Sequence, residues 1–189
     1  MSVFPFLEIG NLAINPPIIQ GGMGVRVSLS NLASAVADEG GAGIIATAGI
    51  GDFMNHPGSK FLAVNEAALR QEIRTARSQT DGVIGINAMV ALSNFENLAI
   101  TATEEGIDLI ISGAGLPLHL PKYVQGTNVK LIPIVSSGRA FKIICTKWQR
   151  QYNRLPDAVV VEGVKAGGHL GFSYPDVIQG ATSSLDQIC

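Results

Sequence analysis

Cysteine is scarce in this chain: there are two in 189 residues, Cys145 and Cys189. Far apart in sequence, they make neither a disulfide framework nor a metal-ligand pattern. A large excess of charge is also missing, since the formal net charge is -2. That balance gives no electrostatic reason to expect nucleic acid or an anionic membrane as a partner. No apolar run is long enough to span a bilayer. The N-terminus, Met1-Ser2-Val3-Phe4-Pro5, has no basic stretch leading into an apolar one, so no signal peptide is expected. These absences point to a cytoplasmic protein.

What is plentiful is apolar residues, at 47%, and glycine, at 22. The length suffices for one sizeable core. The glycines cluster after apolar runs, where a backbone turns tightly or meets a ligand.

Strand and helix signals alternate along the chain. Phe6 to Ile14 reads as a small hairpin turning at Gly10-Asn11. Pro17-Ile18-Ile19-Gln20 is a short strand followed at once by Gly21-Gly22-Met23-Gly24. Ser28 is placed to cap a helix with an apolar face of Leu29, Leu32, Ala33 and Val36, ending near Gly40. Further strands are expected at Gly43–Ala46, Val83–Met89, Asp108–Ser112, Leu131–Val135 and Ala158–Val161. Helices are expected over 66–77, after a capping box of Ser93 and Glu96, and over 139–149. Successive strands start roughly 20 to 40 residues apart, the length of a βα unit.

Strands apolar on both faces with helices between them mean a parallel sheet in an α/β protein. The residues leave two architectures open, a (β/α)8 barrel and a doubly wound open sheet. Glycine or small polar residues follow nearly every strand. In an open sheet ligand loops concentrate at one switch point; in a barrel every βα loop faces one mouth. The pattern favours the barrel, with the N-terminal hairpin plugging its bottom. No compositional break divides the chain, so residues 1–189 read as one domain.

The segment from Val159 to Gly171 carries the most chemistry. A β-branched run ends in Glu162, then come Gly163, the pair Gly167-Gly168, and His169. Strand C-termini are where α/β proteins seat ligands. Paired glycines allow close backbone approach to a flat or anionic cofactor. Histidine exchanges a proton near neutral pH. A plain loop histidine fits the spacing equally well.

Four motifs occur in order: Pro17-Ile18-Ile19-Gln20-Gly21-Gly22-Met23-Gly24; Gly85-Ile86-Asn87-Ala88-Met89; Ser112-Gly113-Ala114-Gly115-Leu116-Pro117; and Glu162 through Gly171. Together they resemble the nitronate monooxygenase family, formerly 2-nitropropane dioxygenases, whose near relatives are the flavin-dependent enoyl-acyl-carrier-protein reductases. The resemblance covers essentially the whole chain. It implies an FMN-binding TIM barrel and oxidation of alkyl nitronates with O2 to a carbonyl compound and nitrite. The alternative it leaves open is an NAD(P)H-dependent enoyl thioester reductase on the same scaffold.

The resemblance also implies roles for residues. His169 matches the family's catalytic base. Gly21, Gly22 and Met23 match the first-strand loop that meets the ring system through its backbone. Asn87, whose carboxamide both donates and accepts, suits the flavin's mixed edge or ribityl chain. Glu162 and Ser136 are further candidate cofactor contacts, and Gly167 and Gly168 make room for the cofactor. Lys165 stands where the family has an acidic residue. His56 and His119 read as solvent-facing or structural, Lys142 as a solvated helix charge, and Met89 and Trp148 as packing. About six strands are counted where a full barrel has eight in about 250 residues. The chain therefore reads as a C-terminally truncated barrel lacking the usual phosphate cradle, and an inactive fragment is a third reading.

Overall fold

In the computed structural model, described here for residues 5–51 and 60–178, the chain opens with a hairpin. Strands β1 (Leu7–Ile9) and β2 (Leu12–Ile14) pair antiparallel around Gly10-Asn11. Gly10 has φ 62°, the positive value that a two-residue hairpin loop demands at its first position.

Next come α1 (Ser30–Asp38), β3 (Ala42–Ala46), α2 (Phe61–Gln79), β4 (Val83–Met89), α3 (Phe95–Glu104) and β5 (Leu109–Gly113). They are followed by α4 (Leu120–Tyr123), β6 (Lys130–Val135), α5 (Gly138–Tyr152), β7 (Val160–Val161) and α6 (Tyr174–Ile178). Strands β3 to β7 pair parallel in sequence order as a curled half-barrel.

Of the six strands expected in the parallel sheet, the first is reduced to a bridge. Ile19 pairs with Ala42, Gln20 N–H donates to Ala42 O at 3.0 Å, and Ala42 N–H donates to Ile18 O at 2.9 Å. Pro16 and Pro17 just upstream have no N–H to extend that ladder.

Alternation along the strands sorts side chains into two layers. Ile45, Ile84, Ile86, Ile110 and Leu131 face outward and pack with the helices, including Leu69, Ile73 and Trp148. Ile44, Leu109, Ile111 and Ile132 face inward, together with Ile9 and Ile14 of the hairpin. The hairpin thus packs its apolar side against the inner face of the sheet. Each isoleucine it inserts contributes about 1.5–3 kcal/mol of burial.

Helix starts depart from the sequence expectation. Ser28 does not cap α1; its hydroxyl accepts from Met23 N–H at 3.0 Å and from Gln20 Nε2 at 2.8 Å. The helix starts at Ser30 instead, and Glu72 of α2 accepts from the Ser30 N–H at 2.9 Å. A neighbouring helix thus supplies the carboxylate that an orphan N-terminal donor needs. The Ser93–Glu96 box does not form either. Helix α3 begins one residue later, with Asn94 at its N-cap position and no side-chain cap bond. That register puts Glu96 at the second helical position, one short of where the box needs it. By contrast Ser137 caps α5, accepting from Ala140 N–H at 3.2 Å. Helix α2 runs longer than expected at both ends, and the short α4 was not expected at all.

Cys145 is partly buried, and burial pushes its thiol up, away from a reactive thiolate. Trp148 is fully buried and its Nε1 donates to Pro117 O at 2.9 Å, so it is core, tying α5 to the loop after β5.

Gly43 is where α1 meets the sheet. A Cβ there would stand 1.9 Å from Ala33 O. Gly43→Ala is therefore expected to push α1 off β3 and cost about 3 kcal/mol, the upper range for overpacking. Denaturant unfolding followed by circular dichroism checks this; an unchanged midpoint would contradict the close packing of α1 on β3.

Candidate active site

Because β3 to β7 are parallel, their C-terminal ends share one edge, and the expected site residues gather there in two groups. The first is built on β4. Ile84, Ile86 and Ala88 pack outward, so Asn87 faces the interior between Ala46 and Ile111. Its backbone carbonyl accepts from both the N–H and the Oγ1 of Thr47, each at 3.0 Å. Its carboxamide has no hydrogen-bond partner among the described residues. Gly22 lies directly against it: a Cβ on Gly22 would fall 2.5 Å from Asn87 Cβ. The chain therefore needs glycine at 22 to let its loop approach this side chain. Gly21 and Met23 flank it, both exposed, with open space around the Cβ position of Gly21.

Sequence reasoning missed the pair that fixes this loop. Gln20 Nε2 donates to Gly21 O and Ser28 Oγ, both at 2.8 Å, while its Oε1 accepts from Ile44 N–H at 3.1 Å. Ser28 N–H then donates to Met23 O at 2.9 Å, and Ala46 N–H donates to Ser28 O at 2.9 Å. The loop is sewn to β3 at both ends. A polar side chain between an apolar strand and a Gly-Gly pair was the available signal.

The second group forms a cleft of about 490 Å³, walled by Gly115, Ser136, Glu162, His169, Leu170 and Gly171 among others. That size suits a small-molecule ligand. His169 is exposed on its rim. Ser136 Oγ donates to Gly171 O at 2.8 Å, and Glu162 Oε2 accepts from Gly171 N–H at 3.0 Å. Gly167 and Gly168 are exposed, with no atom of the described residues beyond their chain neighbours within 4 Å of a Cβ position on either, and Gly168 has φ 88°. Ala114, which also lines the cleft, holds φ 52°, a left-handed value uncommon for a residue with a side chain.

The other residues singled out in the sequence lie elsewhere. His119 Nδ1 is 2.9 Å from Tyr152 Oη, a contact between the start of α4 and the end of α5. His56 lies outside the described residues. Lys165 is exposed on the loop. Lys142 lies with Arg139, Lys147 and Arg150 along a shallow groove of about 550 Å³ on α5, whose opposite side buries Ile144 and Trp148. Among the described residues no group of three or more His, Cys, Asp or Glu could hold a metal ion, and no helix is long and apolar enough to cross a membrane.

The family model described as nitronate monooxygenase matches residues 7–189. Among solved structures, FabK from Thermotoga maritima is 28% identical with a TM-score of 0.64, over 82% of this chain and 43% of that one. A point mutant of the same protein gives 30% and 0.65, over 82% and 45%. A nitroalkane oxidase from Streptomyces ansochromogenes, 19% identical, shares the fold with a TM-score of 0.65, over 87% of this chain and 51% of that one. The chain spans about half the length of the solved structures it matches. No curated protein matches it.

Proposed function

The chain belongs to the nitronate monooxygenase family, and from that we propose a flavin-dependent oxidoreductase that holds FMN and oxidises alkyl nitronates with O2 to a carbonyl compound and nitrite. The observation that supports this most is the interior-facing carboxamide of Asn87, unpartnered among the described residues and abutted by Gly22, at the same strand-end edge as His169. A half-buried amide with free donors and acceptor is available to a ligand that can both donate and accept. A flavin's edge offers both complements.

The residues present fit such a group. Gly21 and Met23 would face it beside Asn87, and the open space at Gly167 and Gly168 would admit it. When bound, FMN supplies the electron-transfer chemistry that side chains lack. Among the described residues no Lys or Arg lines the cleft, so a phosphate finds no ion pair with them there.

The protein's own contribution is position and a base. His169, which lines the cleft, would take the proton from the carbon bearing a nitro group. That C–H bond breaks, the proton goes to a ring nitrogen, and the electron pair delocalises onto the nitro oxygens, leaving a nitronate. Histidine is the side chain most often used as a general base. Leu116, Ile134 and Leu170 give the cleft an apolar wall against water.

The second reading is an NAD(P)H-dependent flavin enoyl-acyl-carrier-protein reductase, favoured by the 28% identity to FabK over most of this chain. Mixing the flavin-loaded protein anaerobically with propionate 3-nitronate and, separately, with NADH or NADPH tests the two. Bleaching of the flavin by the nitronate alone is expected. Bleaching by the reduced nicotinamide alone would favour the reductase, and no bleaching by either would favour an inactive fragment.

Asn87→Leu, close in volume but unable to hydrogen-bond, is expected to weaken FMN binding about tenfold, the worth of one well-placed hydrogen bond. Fluorescence titration measures it; an unchanged Kd would remove Asn87 from the site.

A further inference from the structure

We propose that Ser136 and Glu162 are positioning residues that clip Gly171 to the strand ends and so hold His169 over the cleft. This rests on the reading of His169 as the base. Both polar groups of one residue's backbone are taken by side chains from two neighbouring strand ends. Ser136, just after β6, donates to Gly171 O at 2.8 Å. Glu162, just after β7, accepts from Gly171 N–H at 3.0 Å.

The anchors are themselves rigid. Glu162 N–H donates to Val135 O at 2.8 Å, extending the β6–β7 pairing by one step beyond Val161. Ser137, next to Ser136, caps α5.

The segment the clip closes is otherwise loosely held. Residues 165–169 are all exposed. Between residues 163 and 170, the backbone bond from Ala166 N–H to Gly163 O, at 3.0 Å, is internal to the loop. Among the described residues, the two bonds at Gly171 are the hydrogen bonds that tie residues 163–171 to the rest of the protein. His169 is two residues from the clip. Gly171 is required for the fit, because a Cβ there would stand 2.4 Å from Ser136 Oγ and 3.1 Å from Ser136 Cβ.

A carboxylate accepting a backbone N–H is a charge-assisted and comparatively strong bond. Losing it leaves the loop stem tied, among the described residues, by the Ser136 bond alone. A displacement of about 1 Å in a reacting group can cost on the order of a hundredfold in rate.

The test combines amide hydrogen exchange at Gly171 in the flavin-free protein with turnover by the flavin-loaded protein. Glu162→Ala is expected to speed Gly171 exchange about tenfold or more. It is expected to lower kcat on a neutral nitroalkane on the order of tenfold to a hundredfold, with KM and FMN affinity unchanged and preformed nitronate spared. Glu162→Gln keeps a carbonyl acceptor and is expected to restore most of both. Ser136→Ala deletes one hydroxyl and gives the same pattern more weakly, and it carries the test should Glu162→Ala not fold. Unchanged Gly171 exchange, or a drop in FMN affinity in place of the selective loss of kcat, would overturn the clip and return both residues to cofactor contact. Should His169→Ala leave turnover of neutral nitroalkanes intact, the base reading falls, while the exchange measurement still decides the clip.

Discussion

His169→Ala is expected to slow turnover of neutral nitroalkanes by on the order of 10²- to 10⁴-fold, the usual cost of deleting a general base, while sparing preformed nitronates. The asymmetry follows from the proton inventory. A nitronate has already lost the proton that His169 is proposed to take, so its oxidation would not use the imidazole. His169 is exposed on the rim of the cleft, whereas His119 lies 2.9 Å from Tyr152 Oη. Steady-state rates on a nitroalkane and on its preformed nitronate, at one pH, read the difference. Equal losses on both substrates would make His169 a binding or orienting group, and no loss on either would remove it from the site.

Gly168→Val should abolish FMN retention and leave the parallel sheet folded. Two physical effects act together. Gly168 holds φ 88°, where a β-branched side chain is strained by about 1–2 kcal/mol or more. The open space around it is also what a bound cofactor would need. The loop is exposed, so little of the core should feel the change. Gly167→Val separates the effects, because Gly167 does not share the positive φ. Retention lost in both variants points to steric exclusion, and loss in Gly168→Val alone points to backbone strain. A yellow, stoichiometric holoprotein from Gly168→Val would remove this loop from cofactor contact.

The sheet was legible because its signal is local. Runs such as Val83–Met89 and Leu109–Gly113 are apolar on both faces, and only a covered parallel sheet accommodates that. The hairpin was legible from Gly10-Asn11 for the same reason. What stayed hidden was decided across long sequence separations. Ser28 looked like a cap, but Gln20 and Met23 bind its hydroxyl, and a carboxylate 42 residues away serves the helix instead. Ile18 to Gln20 reads as a strand, yet adjacent prolines limit it to a bridge.

The site divides in the same way. Asn87 stood out because a polar residue interrupts an apolar strand, and the structure leaves its carboxamide free among the described residues. Ser136 and Glu162 were picked as polar strand-end residues, but their engagement with Gly171 depends on how a loop closes on itself, which no local pattern records.

The central claim is that the strand-end edge carrying Gly22, Asn87 and His169 is where a flavin sits. Titrating FMN into isotope-labelled protein and following backbone amide shifts by NMR tests it most directly. The expected result is saturable shifts at Gly22, Asn87, Gly167, Gly168 and His169, with Arg139 and Lys147 on α5 unmoved. Shifts confined to the cationic groove of α5, or none at any FMN concentration that saturates a relative, would contradict it.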